Sequence, residues 1–334
     1  MRFLLDDEQR EFARALDAML TAADTPRAAR AWAAGDHAPG LALWSRLAEA
    51  GVFALAVPEA HEGLGPLPVE LAVAFTEAGR HAVPGPLVET VAAAALLGRL
   101  TEDDGGDGQE AAAWLPRIAA GRATVSLSVP ALTGPYALDA DMADAVLVVE
   151  DDTVRLTAVC GPVQPSADPV RRLARPGTAG TVLARGPRVA AARAYATEVA
   201  ALATAAQCLG LGRALLDRTV AYVRRRTQFG VPVGSFQAVK HRLADTLIAL
   251  EFARPLLYAA ALALADRGTA PHEIAAAKVT AGEAAHAAAR TALQLHGAIG
   301  YTEELDLSLW IRKARPLRDA WGTPATCRAR VLAP

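Results

Sequence analysis

Two short segments carry the residues with the clearest chemical potential. The first, residues 224–245, reads RRRTQFGVPVGSFQAVKHRLAD. Arg226, Gln228 and Phe229 gather just before Gly230, where the chain must turn, and Gln237 opens the stretch that follows. A guanidinium fixed on a turn can pair with a pyrophosphate, an aromatic ring can stack on a ring system, and a glutamine amide can bond a base edge. Arg224 and Arg225 read as solvated charge, whereas Arg226 gains its meaning from the QFG beside it. Phe229 and Phe236 suit either stacking or the core of a helical bundle. The second segment, residues 293–314, reads LQLHGAIGYTEELDLSLWIRKA. Gln294 sits near the end of a helix, and Gly297 and Gly300 follow it. Glycine there lets a phosphate or ribose approach the backbone closely. His296 reads as a residue that orients this turn.

Other constellations lack their context. Glu283 and His286 form an ExxH pair, but a di-iron bundle needs a second ExxH and two further carboxylates, and no second pair occurs. Gly210 and Gly212 make a GxGxxL stretch inside a helical pattern with no strand ahead of it, so close helix packing is the expected role. Cys160, Cys208 and Cys327 are scattered, which points to neither zinc nor disulfides and to a reducing compartment. A formal net charge of -2 argues against a nucleic-acid or basic membrane-binding surface. The apolar runs at 91–97 and 259–265 are shorter than a bilayer span, and the acidic MRFLLDDEQREF start does not read as a signal peptide. The expectation is a soluble cytoplasmic protein without metal, nucleic acid or membrane.

The elements that must position these residues fall into three stretches of the 334-residue chain. Residues 1–120 read as an all-α domain. Phe3, Phe12, Leu16 and Leu20 share a stripe over 3–20, and further helices are expected at 41–50, 69–79 and 86–100, followed by a solvated loop at 101–110. Residues 121–190 read as a small β domain with β-branched strands at 123–129, 145–149, 153–159 and 181–184. Residues 191–334 return to long helices at 197–225, 236–267 and 271–297, whose short connections imply antiparallel packing, with a last pair of shorter helices ending near 320. The fold class is mainly α with a small β domain.

The two segments together resemble the C-terminal bundle of the acyl-CoA dehydrogenase family, whose RxQFG…FQ and QxxGGxGY turns hold the ADP half of FAD. In the second turn Ala298 replaces one glycine. Residues 43–65 and 69–90 are similar to that family's first helical domain. The resemblance spans about residues 3–324. It implies an N-terminal helical domain, a middle β domain and a C-terminal antiparallel four-helix bundle. It also implies FAD as cofactor, an acyl-CoA thioester substrate and electron-transfer flavoprotein as redox partner. Arg226, Gln228, Phe229, Gln237, Gln294, Gly297 and Thr323 are the implied cofactor-binding residues.

The same resemblance exposes a loss. The family removes the α-proton of the thioester with a carboxylate, for which a positioned base is needed. In most members this is the Glu of an EGT segment; here the segment is DAWGTPATCR, with Trp321 before Gly322 and Thr323. A minority place the Glu near the start of the first bundle helix, followed by Arg, where this chain has Ala200 and Ala201. Glu198 lies two residues away, about 200° round a helix. Asp319 lies two residues before Trp321. These two are the candidates for a displaced base, and Trp321 reads as a filler over a vacated pocket. The TEPxxGSD-like and WIT-like segments that line the flavin are also unrecognisable. In the family each FAD spans a subunit interface, one chain giving the flavin pocket and base and its neighbour the ADP-holding turns. The chain keeps what is given in trans and lacks most of what is used in cis. It is similar in this to the degenerate subunit of actinobacterial heterotetrameric acyl-CoA dehydrogenases, some of which act on steroid side chains. A catalytic acyl-CoA dehydrogenase subunit is therefore the expected partner. The alternatives are an active homo-oligomer using Asp319 or Glu198, and a flavin-free scaffold.

Overall fold

The computed structural model describes residues 4–102 and 108–333; Phe3 and the middle of the expected 101–110 loop lie outside them. The chain begins with α1 (Asp7–Thr21), α2 (Thr25–Ala33), α3 (Ala38–Glu49), α4 (Pro68–Arg80) and α5 (Leu87–Thr101), then two short helices, α6 (Gly108–Ala112) and α7 (Leu115–Ala119). Asp6 and Gln9 form a reciprocal capping box that fixes where α1 starts. Strands β1 (Val125–Ser128), β2 (Ala137–Leu138), β3 (Ala145–Glu150), β4 (Thr153–Thr157), β5 (Leu173–Ala174) and β6 (Thr181–Arg185) follow, with the one-turn α8 (Pro130–Thr133) after β1. The last part holds α9 (Arg188–Arg225), the hairpin strands β7 (Thr227–Gln228) and β8 (Val231–Pro232), α10 (Gln237–Arg267), α11 (Pro271–His296), α12 (Leu307–Asp319) and α13 (Pro324–Val331). The protein is mainly α with a small middle sheet, as its pattern implies. Helix α9 starts nine residues earlier than its periodicity suggests, α2 and α8 are additional, and the last helix runs to Val331 rather than ending near 320.

The middle sheet has the order β1-β3-β4-β6, with β1 parallel to β3 and the other pairs antiparallel. Strand β1 joins it to the helical core. Thr90 of α5 donates its hydroxyl to the Val125 carbonyl (2.8 Å) and accepts the Val125 N–H (3.2 Å). Almost the whole of α5 is buried, so its single carboxylate, Glu89, enters the interior with it.

Helix α9 is the axis of the molecule. Its mid-section is buried on all sides, and two glycines set how near its neighbours come. A Cβ on Gly210 would sit 1.8 Å from the Thr76 carbonyl oxygen, and one on Gly79 would sit 2.1 Å from that of Gln207, so α4 and α9 cross backbone to backbone. Gly212 faces Leu250 of α10 and Ala285 of α11. The glycine pair thus serves close packing, as its lack of a preceding strand implies. Both α9 and α10 are long and apolar enough to cross a membrane. The apolar window of α9 is 94% buried in the protein, whereas that of α10 is only 33% buried.

A polar anchor ties α2 to the middle domain. Asp139, 1% exposed, accepts the Trp32 indole N–H at 3.0 Å. Burial pushes its carboxyl up to about 7; the Trp32 bond opposes this, and the nearby Glu89 carboxylate adds to it.

Two outcomes follow. Gly210→Ala should lower stability in urea unfolding by about 1–3 kcal/mol through overpacking against Thr76; unchanged stability would mean that the two backbones do not touch. For Asp139, the folded state keeps a proton that the unfolded chain releases at its ordinary 3.8. Its contribution is therefore complete below pH 3.8 and is lost as pH rises toward 7. Asp139→Asn keeps an oxygen for Trp32 and should flatten the fall in stability across that window; identical pH profiles for the two proteins would contradict the assignment.

Candidate functional site

The antiparallel course of α9, α10 and α11 brings the C-terminus of α9, the N-terminus of α10 and the C-terminus of α11 to one end of the bundle. Tyr222 of α9 stacks on His296 of α11, with ring centroids 4.1 Å apart, and so locks the two turns together. His296 holds its place through Nδ1 to the Ala292 carbonyl (2.8 Å), and burial lowers its pKa. It orients the turn, as expected.

Arg226 ends α9 and its carbonyl accepts the Val233 N–H (2.7 Å), which closes the hairpin of β7 and β8. The two residues at the tip, Phe229 and Gly230, have φ of 52° and 79°. A two-residue hairpin of this kind needs positive φ at both positions, which glycine adopts freely and phenylalanine only under strain. Phe229 is 91% exposed, and Phe236 packs edge-on against it at 6.3 Å. Neither ring belongs to the bundle core, so the core alternative for these two is set aside. Gln228, Gln237 and Gln294 are exposed, and Gln294 also faces a groove of about 470 Å³ between α10 and α11. Among the described residues, the side chains of Arg226 and of these three glutamines make no hydrogen bond or ion pair. Gly297 has φ 66°, and nothing lies within 4 Å of where a Cβ would stand.

The surroundings of Trp321 are built differently. Trp321 is 5% exposed and donates its indole N–H to Glu89 Oε1 at 3.0 Å. The second oxygen, Oε2, is buried and has no hydrogen-bond partner among the described residues. Burial pushes the Glu89 carboxyl up, opposed first by the charge of Arg171 and then by the Trp321 bond. Behind Trp321, Lys278 of α11 donates to the carbonyls of Leu317 (3.2 Å), Arg318 (2.8 Å) and Gly322 (3.3 Å). Thr323 caps α13 by accepting the Thr326 N–H at 3.2 Å. Eighteen residues of α11 separate Lys278 from His296, about 27 Å along the helix.

The two carboxylates considered as displaced bases are both engaged elsewhere. Glu198 accepts from the Thr269 hydroxyl (2.8 Å) and the Ala270 N–H (2.7 Å), and so holds the start of α11. Asp319 lines a cavity beside Trp321, but its carboxylate pairs with Arg318 at 2.9 and 3.3 Å. Ala200 is fully buried in α9. The carboxylate that does meet position 321 is Glu89, which sequence reading did not single out. Its one signal was an acid inside the apolar run LVETVAAAALL.

These residues can be tested against FAD. A free guanidinium, three free amides, an exposed ring and an open glycine backbone share one end of the bundle and suit the ADP half. Away from this end, beside the middle of α9, the position at which the resemblance would put the base holds an indole.

Residues 6–122 match the family described as acyl-CoA dehydrogenase, N-terminal domain, and residues 184–333 match acyl-CoA dehydrogenase, C-terminal domain. The chain is 35% identical over 312 residues to acyl-CoA dehydrogenase IpdE2 of Mycobacterium tuberculosis (strain H37Rv), covering 92% of this chain and 91% of that protein. Among solved structures it resembles a variant of the Tcur3481-Tcur3483 steroid ACAD, with TM-score 0.81 and 25% identity over 97% of this chain and 96% of that one. It also shares its fold with the ChsE4-ChsE5 complex from Mycobacterium tuberculosis, with TM-score 0.80 and 22% identity over 99% and 98% of the two chains. With both terminal domains matched and a curated relative aligned along nearly its full length, the chain belongs to the acyl-CoA dehydrogenase family, whose cofactor is FAD.

Proposed function

We propose that this chain is the non-catalytic subunit of a heteromeric acyl-CoA dehydrogenase, and that it holds the ADP half of an FAD whose flavin lies in a catalytic partner subunit. The carrying observation is the contrast between two places in the bundle: a free set of ADP-type contacts at one end, and Trp321 in the base position beside the middle of α9. About 27 Å of α11 lies between them. The two-chain name of the Tcur3481-Tcur3483 relative supports a mixed assembly, and its description as a steroid enzyme supports a bulky acyl-CoA as substrate of the complex.

In this assembly Arg226 neutralises pyrophosphate charge, Phe229 gives up its exposed position to a ring or an apolar neighbour, and Gln228, Gln237 and Gln294 bond polar edges of the nucleotide. Gly297 allows backbone contact without a side chain in the way, while Thr323, the remaining residue of the expected set, acts here as a helix cap. When bound, FAD supplies the acceptor for the β-hydride of the acyl thioester. The α-proton must go to a carboxylate, and since Trp321 and Ala200 provide none, that base belongs to the partner. Electron-transfer flavoprotein is the reoxidant this reading carries over from the family.

The surface left for the partner is apolar. Ile248, Phe252 and Leu256 follow one another at i, i+4 and i+8 along the outer face of α10, and Phe252 is 70% exposed. Glu251 lies within the same stretch and binds Arg213 (3.0 Å) and Arg254 (2.8 Å), which suits a protein neighbour rather than lipid.

Produced alone, the chain should carry little flavin and no dehydrogenase activity; co-production with its partner should restore both. Stoichiometric flavin with turnover from the lone chain would reject the proposal. In the complex, Arg226→Ala should weaken FAD retention by roughly 10- to 150-fold, the equivalent of a charge-assisted bond of about 1.5–3 kcal/mol. Flavin content unchanged on dialysis would point instead to a scaffold. Phe252→Asp should leave the circular dichroism of the chain intact and abolish co-purification of the partner.

A further inference from the structure

We infer that Trp321 and Glu89 form a plug that closes this chain's own acyl chamber, and that without the plug the chamber takes an apolar, ring-sized ligand bearing one hydrogen-bond donor. The inference builds on the proposed function at one point, in taking the side chain at position 321 to face the reacting end of an acyl group.

Two cavities flank the indole, of about 30 and 140 Å³. Both are lined by the same four residues, Glu89, Leu138, Arg171 and Trp321, which therefore form the partition between them. Beyond the partition, the smaller cavity reaches α4 and α9 at Gly79 and Thr204, and the larger reaches the middle domain at Leu127 and Tyr136. Neither alone reaches the several hundred Å³ of a ligand site. The largest member of the partition is the indole, and removing it joins the two spaces into one chamber running from the helical core to the sheet.

The plug is held from both sides. Trp321 has φ 52°, a left-handed conformation that a bulky residue keeps only where its surroundings impose it. Lys278 fixes the turn from behind through the Gly322 carbonyl, and Glu89 receives the indole N–H in front. Glu89 is 4% exposed, yet its Oε2 has no partner among the described residues. A buried oxygen left open at the edge of a cavity is where a ligand's donor would bind. The space the indole fills is thus ring-shaped, bounded by Leu138 and, on its polar side, by Arg171 and Glu89, whose Oε1 takes the indole N–H and whose Oε2 is still unused.

The test uses the full chain, in the assembly in which it purifies, and indole itself as probe. Trp321→Ala should unfold at a lower temperature than wild type, and indole should raise its melting temperature in a dose-dependent way while leaving wild type unmoved. Indene, which has the same shape without the N–H, should bind that variant at least about tenfold more weakly. A folded Trp321→Ala protein that ignores indole, a wild type that responds equally, or equal binding of indole and indene would each overturn the inference. Should Trp321→Ala not fold, Trp321→Phe keeps most of the bulk and leaves Glu89 without its donor. Glu89→Leu should then stabilise the Trp321→Phe chain and destabilise wild type. The same effect in both backgrounds would show that the two residues are uncoupled and would equally reject the plug. Neither readout involves flavin or partner. Absent indole binding with normal flavin capture rejects the plug alone, and failed flavin capture with intact indole binding rejects the subunit role alone.

Discussion

Lys278 carries an ammonium into the interior of the bundle, 1% exposed, with no carboxylate bonded to it among the described residues. Burial lowers its pKa, and what it finds in place of water is three carbonyl oxygens at the end of α12 and the turn that follows. The exposed carbonyls of a helix C-terminus carry partial negative charge, so each side satisfies the other. The consequences run outward from there. The fixed turn sets the backbone of Trp321, its indole meets Glu89, and the same turn of α5 that carries Glu89 carries Thr90, which bonds both polar groups of Val125 in β1. One buried cation thereby aligns the bundle, the N-terminal helices and the sheet around a common point.

The geometry of α9 explains where the molecule is tight. Its glycines bring α4, α10 and α11 into backbone range in the middle. Polar chemistry is left to the termini of the helices. At one terminus the Tyr222–His296 stack collects two chain turns into a single polar surface. Beside the α4–α9 crossing, close packing around Trp321 leaves only small voids.

Much of this could be read from the sequence, and the rest could not for identifiable reasons. Helices α10 and α11 declare themselves through long periodic runs closed by Gly268 and Gly297, and the RTQFG and GAIG turns carry composition that ordinary connections lack. The start of α9 escaped although 188–196 is alanine-rich and favours helix: Gly186 and Pro187 stand immediately before it and close the β domain, and few large apolar residues mark a face there. Glu89 and Lys278 escaped for a different reason. Each is one charged letter in an alanine-rich run, and its meaning lies in partners far away in sequence, 232 residues for the Glu89–Trp321 bond. The stacking role considered for Phe229 and Phe236 was legible as a possibility of type; that both rings stand in solvent required the backbone of the hairpin.

The outer face of α10 and the hairpin tip have a bearing on how the chain is made. A stripe of Ile248, Phe252 and Leu256, with a strained phenylalanine displayed nearby, is a surface that water disfavours and other unfolded or half-assembled chains would accept. A chain whose face stays uncovered is therefore exposed to self-association and to the cell's quality control. If the proposed assembly forms, matched synthesis of its two subunits becomes a physical requirement, set by a single helix face.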